Sequence, residues 1–436
     1  MALFVRNMSN LEELSSSSLA KHVQSFTFYT DAVPTFALHA QVTEREIWEN
    51  AIDFREDMVP DVQMSTIAGV SVDTGTGSLR NFIRYNIARH HFSRQQLANG
   101  WGEYQALRKE QYIWLLEQTS LNFKACFVRL PNVVTVNVMS AADERPANKI
   151  PLWKMLRQRI LIGPDEWRRK NGRQNVASFD LPGVAFLCVL EAIGLRAVLA
   201  ETKPKFKQVT TLDARPHSLG PLRNLLCNLP FTAETFIQRD WDARYRFVRE
   251  SFPRLTDLTL HMGTFCNNTR HPERDRRKAD DILDLLFSAP RLKRLDFSYD
   301  NNAYLGPNFN NFEATFVASL PHWPDIEELG LSISNMHHNQ LLKLLQLNAA
   351  RLRSLELSYM WVKNARVLFT QMPKILNLEK ASFRIIHFDC DVCQDQNWLF
   401  DTDSDVNAAN DRAMEAYVLG KTAVMPDLAL YELCGR

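Results

Sequence analysis

Three stretches of this 436-residue chain carry residue types at spacings that could do chemistry. In "VSVDTGTGS" an apolar run precedes Asp73, Thr74 and Gly75, the arrangement of an aspartic-protease active-site loop. That chemistry needs two carboxylates sharing one proton. No second Asp-Thr-Gly or Asp-Ser-Gly follows, so the tripeptide reads as part of a turn-rich, exposed loop. "HFDCDVC" brings His387, Cys390 and Cys393 close together, with Cys434 a further thiol. A structural zinc takes four ligands, usually as two separated pairs. A lone C-x2-C falls short of that, and buried or incidental thiols are the expectation. "DTDSDVNAANDR" opens like a calcium loop at Asp401, Asp403 and Asp405. Val406 stands where the turn glycine belongs, and Arg412 where a bidentate Glu belongs. No metal and no other cofactor is expected.

Two basic runs remain, one at Arg168, Arg169, Lys170 and Arg173, the other from Arg270 to Lys278. Both are interrupted by acids and lack an aromatic platform for bases, so they read as solvated loops, and nucleic acid is not the expected partner. No Walker loop, dinucleotide fingerprint or G-x-S-x-G elbow occurs. The expectation is a chain without catalytic residues.

The totals are those of a soluble globular protein. The chain is 45% hydrophobic and 23% charged, and its 51 basic and 50 acidic residues leave a net charge of +1. Such a balance exerts no overall pull toward nucleic acid or a membrane surface. No run of eighteen apolar residues occurs, so no membrane partner is expected. Seven cysteines, an odd number without the density of a disulfide scaffold, point to a reducing compartment, cytoplasmic and/or nuclear.

The elements show a recurring rhythm. In "APRLKRLDFSYD" the apolar residues Leu292, Leu295 and Phe297 are spaced by three and then by two. The same triplet recurs at Leu255, Leu258 and Leu260; at Ile326, Leu329 and Leu331; at Leu352, Leu355 and Leu357; and at Leu378, Ala381 and Phe383. Weaker copies lie upstream at Val23, Phe26 and Phe28, at Val133, Val136 and Val138, and at Val209, Leu212 and Ala214. Each copy predicts one strand, its first apolar residue anchoring the entering turn and the other two pointing into a shared core. Helical stretches alternate with the triplets: "RKADDILDLLFSA", "NNFEATFVASL", "NQLLKLLQLNAA" and "VKNARVLFTQM". The last intervals shorten into the range of leucine-rich repeats, about 20–29 residues. The asparagine that closes a regular repeat is missing, its place held by Gly263, Asp300, Ser334, Met360 and Ile386.

The expected fold is therefore an α/β, irregular leucine-rich-repeat solenoid, with a curved parallel sheet on the concave side and helices on the convex side. Helical insertions interrupt its first half. There "TEREIWENAIDF" and "FSRQQLANGWGEYQALRKEQYIWLLEQTS" each predict a helix, and "LPGVAFLCVLEAIG" an apolar helix capped at its C-terminus by Gly194.

At "LAKHVQSFTFYTD", "IWENAIDFRED", "GWGEYQALRKEQ", "LPNVVTVNV" and "LFSAPRLKRLDFSYD" the chain resembles the leucine-rich-repeat region of F-box-type proteins of filamentous fungi. The resemblance implies a substrate receptor. In that family an N-terminal F-box docks on a Skp1-type adaptor of a cullin ubiquitin ligase, and the repeats hold a target protein. The F-box itself is missing from these residues, so the adaptor is expected only if an F-box exists upstream. On this reading residues 1–20 are a remnant or linker after a missing F-box, 21–390 the solenoid, and 391–436 a C-terminal linker and capping helix. The alternative is a stand-alone leucine-rich-repeat interaction scaffold unrelated to ubiquitin.

Between the inward positions, three outward columns would face an unidentified target protein. They hold Asp257, Arg294, Glu328, Ser354 and Lys380; Thr259, Asp296 and Glu356; and His261, Ser298, Ser332, Ser358 and Arg384. The acids in the middle of this face suit a partner with exposed Lys or Arg.

Overall fold

The computed structural model describes residues 5–29, 48, 92–115, 117–139, 159, 161, 181–203, 205–215, 247–262, 284–299, 322–333, 336–389, 396–399 and 405–426. Each triplet forms a strand: β1 (Ser25–Tyr29), β2 (Thr135–Met139), β3 (Thr211–Arg215), β4 (Asp257–Met262), β5 (Arg294–Tyr299), β6 (Glu328–Ile333), β8 (Ser354–Lys363) and β9 (Lys380–Asp389). These eight lie parallel, side by side, in chain order. The two-residue β7 (Met336–His337) pairs parallel with the end of β8, and β10 (Gln396–Leu399) pairs antiparallel with the end of β9.

The register follows the triplets. Val136, Leu212, Leu258, Leu295, Leu329, Leu355 and Ala381 are successive cross-strand partners, and Val138, Ala214, Leu260, Phe297, Leu331, Leu357 and Phe383 form the next line. Both lines lie in one core with the anchors Val133, Val209, Leu255, Leu292, Ile326, Leu352 and Leu378. Strand entry is equally regular. The carbonyls of Gln24, Val134, Thr210, Thr256, Lys293, Glu327 and Arg353 each accept two backbone N–H groups from the next strand's entrance. Those bonds measure 2.7–3.2 Å, from Glu379 N to Arg353 O at the short end to Asp257 N to Thr210 O at the long end.

Helices complete the core: α1 (Val5–Ser16), α2 (Arg94–Leu115), α3 (Glu117–Val128), α4 (Leu181–Thr202), α5 (His338–Asn348), α6 (Ala365–Ile375) and α7 (Asp405–Val418). The segment read as a linker carries α1 and a 3-10 turn at Ser18–His22, and Leu11 and Ala20 are buried in the common core. The single helix predicted through "FSRQQLANGWGEYQALRKEQYIWLLEQTS" is instead two, α2 and α3, and the second runs on to Val128 because Phe123, Cys126 and Phe127 bury their faces in the core. The helix predicted at residues 310–320 lies outside the described residues, as does most of "TEREIWENAIDF".

Gly194 does not end its helix. α4 continues to Thr202, and a Cβ at Gly194 would overlap the Phe247 carbonyl, so the glycine serves close approach of another backbone. Two residues later on the same helix, the buried Arg196 donates from Nη2 to the carbonyls of Pro131 (2.8 Å) and Lys207 (2.9 Å). It thereby ties together the loops that enter β2 and β3. Burial pulls its pKa down to about 10.

The missing repeat asparagine has a structural counterpart. At Met360 and Ile386 the backbone stays extended, so β8 and β9 run for 10 residues each. The pairing passes over Tyr359 and resumes at Met360–Ile386 and Val362–Phe388. Leu355 and Leu357 are inward before this point, Met360 and Val362 after it, so the inward face changes parity there and the three-then-two spacing repeats within one strand. Asn364 then takes a left-handed conformation (φ 55°) and turns the chain directly into α6.

α7 packs on β9, burying Met414 and Val418, and its Glu415 accepts a hydrogen bond from the Phe383 backbone N–H. That bond occupies part of β9 ahead of the stretch that pairs with β10. Desolvation raises the Glu415 pKa, against the lowering effects of that N–H and of Arg384, Arg412 and Lys421.

Two outcomes follow from these contacts. Gly194→Ala lowers stability by about 1–3 kcal/mol through overpacking against Phe247, read as a shift of the urea midpoint at unchanged m-value. Because the Glu415 carboxyl is raised, its contribution to stability is full below the ordinary carboxylate pKa and is lost as pH rises through the folded value. Glu415→Gln flattens that part of the stability–pH profile, measured by thermal melts across the acid range.

Candidate protein-binding face

A parallel strand presents alternate residues to opposite faces, so a core on one side obliges the positions between the buried lines to share the other. The cross-strand register puts them in rows. Ser25, Thr135, Thr211, Asp257, Arg294, Glu328, Ser354 and Lys380 form the first. Thr27, Asn137, Asp213, Thr259, Asp296, Gly330, Glu356 and Ser382 form the second. His261, Ser298 and Ser332 are successive partners in the third, and Ser358 pairs with Arg384 further along it. All thirteen residues assigned to this face from the sequence therefore lie in three rows of one sheet. The first two rows also reach β1, β2 and β3, beyond those thirteen.

Charged groups on the face are joined across strands. Arg294 Nε lies 3.7 Å from Glu328 Oε2, and Arg384 Nε 3.8 Å from Glu356 Oε1. His261 Nε2 is 3.0 Å from Asp296 Oδ2, and Thr256 Oγ1 donates to Asp257 Oδ2 at 2.6 Å. One residue earlier in each strand, Lys293, Glu327, Arg353 and Glu379 alternate in sign along the entrance row, with Arg353 3.8 Å from Glu379. The acids counted as the centre of the face thus have guanidinium, imidazole or hydroxyl neighbours of their own. Exposed pairs of this kind contribute about 0–1 kcal/mol each and exchange readily. Part of the signal was available in the sequence, because aligning the anchors sets Arg294 beside Glu328, whereas Glu356 and Arg384 meet on a diagonal between the second and third rows.

Thr259 lies in the second row but is buried, between the longer side chains of Asp213 and Asp296 in that row. It offers a partner little surface. Gly330 is the bare point of the same row: a Cβ there would sit 3.1 Å from Asp296 Oδ1. Glycine inside a strand marks a place where another backbone can come close.

The other candidate chemistries fall mostly outside the described residues. These are Asp73, Thr74 and Gly75, the thiols Cys390, Cys393 and Cys434, Asp401 and Asp403, and both basic runs. Asp405 and Val406 open α7, and His387 pairs with Trp398 between β9 and β10. Among the described residues no group of three or more His, Cys, Asp or Glu is placed to hold a metal, and no helix is long and apolar enough to cross a membrane. No protein-family model matches the chain, and comparison with curated proteins finds no match.

The cross-strand pairs generate a test. A double-mutant cycle on Arg294→Ala and Glu328→Ala gives a coupling of about 0.2–1 kcal/mol at low salt that fades at 1 M salt, measured by chemical denaturation.

Proposed function

We propose that the chain is a non-enzymatic protein-recognition module whose binding face is the polar side of its parallel sheet. The observation that carries this reading is the unbroken order of eight parallel strands, each offering the same outward positions on one surface. Stacked strands of this kind suit the recognition of an extended surface better than a small molecule, because neighbouring units repeat the same side-chain positions over a long span. The triplet spacing and the helices between strands support an irregular leucine-rich-repeat solenoid, its sheet curved and concave.

Within that reading, the resemblance to fungal F-box/leucine-rich-repeat proteins favours the substrate-binding part of a ubiquitin-ligase receptor. The Skp1-type adaptor would then attach through an F-box preceding these residues. A stand-alone scaffold would use the same face without that adaptor.

Affinity purification with mass spectrometry separates the outcomes. Reversing Asp296→Lys and Glu356→Lys together removes the specifically co-purifying target, whereas reversing the exposed Lys343 of α5 to Glu retains it. Equal recovery with all three chains overturns the assignment of the face. Recovery of a Skp1-type adaptor with a chain extended through an upstream F-box selects the ligase role.

A further inference from the structure

The strand entrances repeat one junction, and the first entrance holds only half of it. At β2, β3, β4, β5, β6, β8 and β9 the two N–H groups that follow the apolar anchor donate to a single carbonyl, that of the residue after the preceding strand's anchor. β1 carries the same donors, the N–H groups of Gln24 and Ser25 after the anchor Val23, but it stands first in the sheet and pairs only with β2. Both residues are exposed, and among the described residues no preceding strand accepts from them.

The apolar surroundings of this edge are incomplete in the same way. The anchors of the other strands are buried, whereas Val23 is only partly so, and Leu19, on the 3-10 turn leading into β1, is 60% exposed. α1 packs on α3 in the helical layer. β1 itself, Ser25-Phe26-Thr27-Phe28-Tyr29, consists of aromatic and hydroxyl residues that favour a strand. It has neither the charge nor the proline that commonly guards an edge. The far end of the sheet differs, because α7 packs on β9 and Glu415 takes the Phe383 N–H. A second copy stacking head to tail would have to bring its Glu379 carbonyl, the matching acceptor, to Gln24 and Ser25, and α7 stands against that strand.

We propose that the β1 edge docks an extended segment of another protein as one more parallel strand. The internal junctions define the chemistry of that segment. It has an apolar anchor, then a carbonyl on the next residue that takes the Gln24 and Ser25 N–H groups. Apolar residues three and five positions after the anchor continue the lines of Phe26 and Phe28. Main-chain bonds supply the affinity of such strand addition, and the alternate side chains its specificity. The site lies at the end of the sheet and does not depend on the polar face being a binding surface.

The test is hydrogen exchange on the full chain, read residue by residue, with a terminally capped peptide of residues 290–299 as the added strand. That peptide carries the anchor Leu292, the Lys293 carbonyl that takes two N–H groups where β5 meets β6, and the apolar Leu295 and Phe297. In the free chain the Gln24 and Ser25 amides exchange as open backbone does. With about 1 mM peptide they slow about tenfold, while the amides of β5 and β6 are unchanged. The same peptide with Leu292→Ser, Leu295→Ser and Phe297→Ser slows them less than about twofold. In the protein, Ser25→Pro deletes one donor and weakens peptide binding about tenfold by isothermal titration, with an unchanged melting curve as the check on folding. Should that variant melt early, the exchange measurements alone decide. Amides already protected in the free chain overturn the proposal, as does equal slowing by both peptides or slowing by neither. Protection that appears without peptide and grows with protein concentration assigns the edge to a second copy and overturns the partner.

Discussion

The carbonyl at each strand entrance, shared by two N–H groups of the next strand, fixes the molecule's register. It sits one residue after the buried anchor, so it locks the backbone at the point where hydrophobic burial has already chosen which way the chain faces. A slip of one residue would turn every leucine line toward water and drive the Asp, Glu and Arg rows into the core. Anchor, shared carbonyl and alternating pattern therefore enforce one another, and the polar face has its composition because the other side is committed.

This constraint explains why so much of the sheet was legible. Burial imposes the three-then-two spacing on β4, β5, β6, β8 and β9, and even the strands of the faint copies at Val23, Val133 and Val209 pair in the same sheet. Features set by single long-range contacts were not legible. Gly194 looked like a helix end because glycine is common there, and only the arrival of the Phe247 carbonyl shows why it sits in mid-helix. The absent asparagine at Met360 and Ile386 looked like decay of the repeat, yet two neighbouring strands change together and restore their own pairing beyond Tyr359. The split between α2 and α3 carries no proline or glycine signal at its junction.

The register sets the thirteen residues in rows of one sheet, with their charges paired locally instead of pooled. A sum over residues gives an acidic centre; the register gives local pairs, His261 with Asp296 and Arg384 with Glu356. Such a surface discourages indiscriminate attraction of basic proteins, since a newcomer must replace contacts already made.

Strand order in space equals strand order along the chain. A ribosome delivering this polypeptide would therefore release each strand of the parallel row next to its predecessor, and among the described strands none has to thread between earlier ones. Synthesis and assembly can advance together from β1 onward. α7, with Glu415 on the Phe383 backbone, follows β9 and covers part of that strand against recruitment of a foreign one.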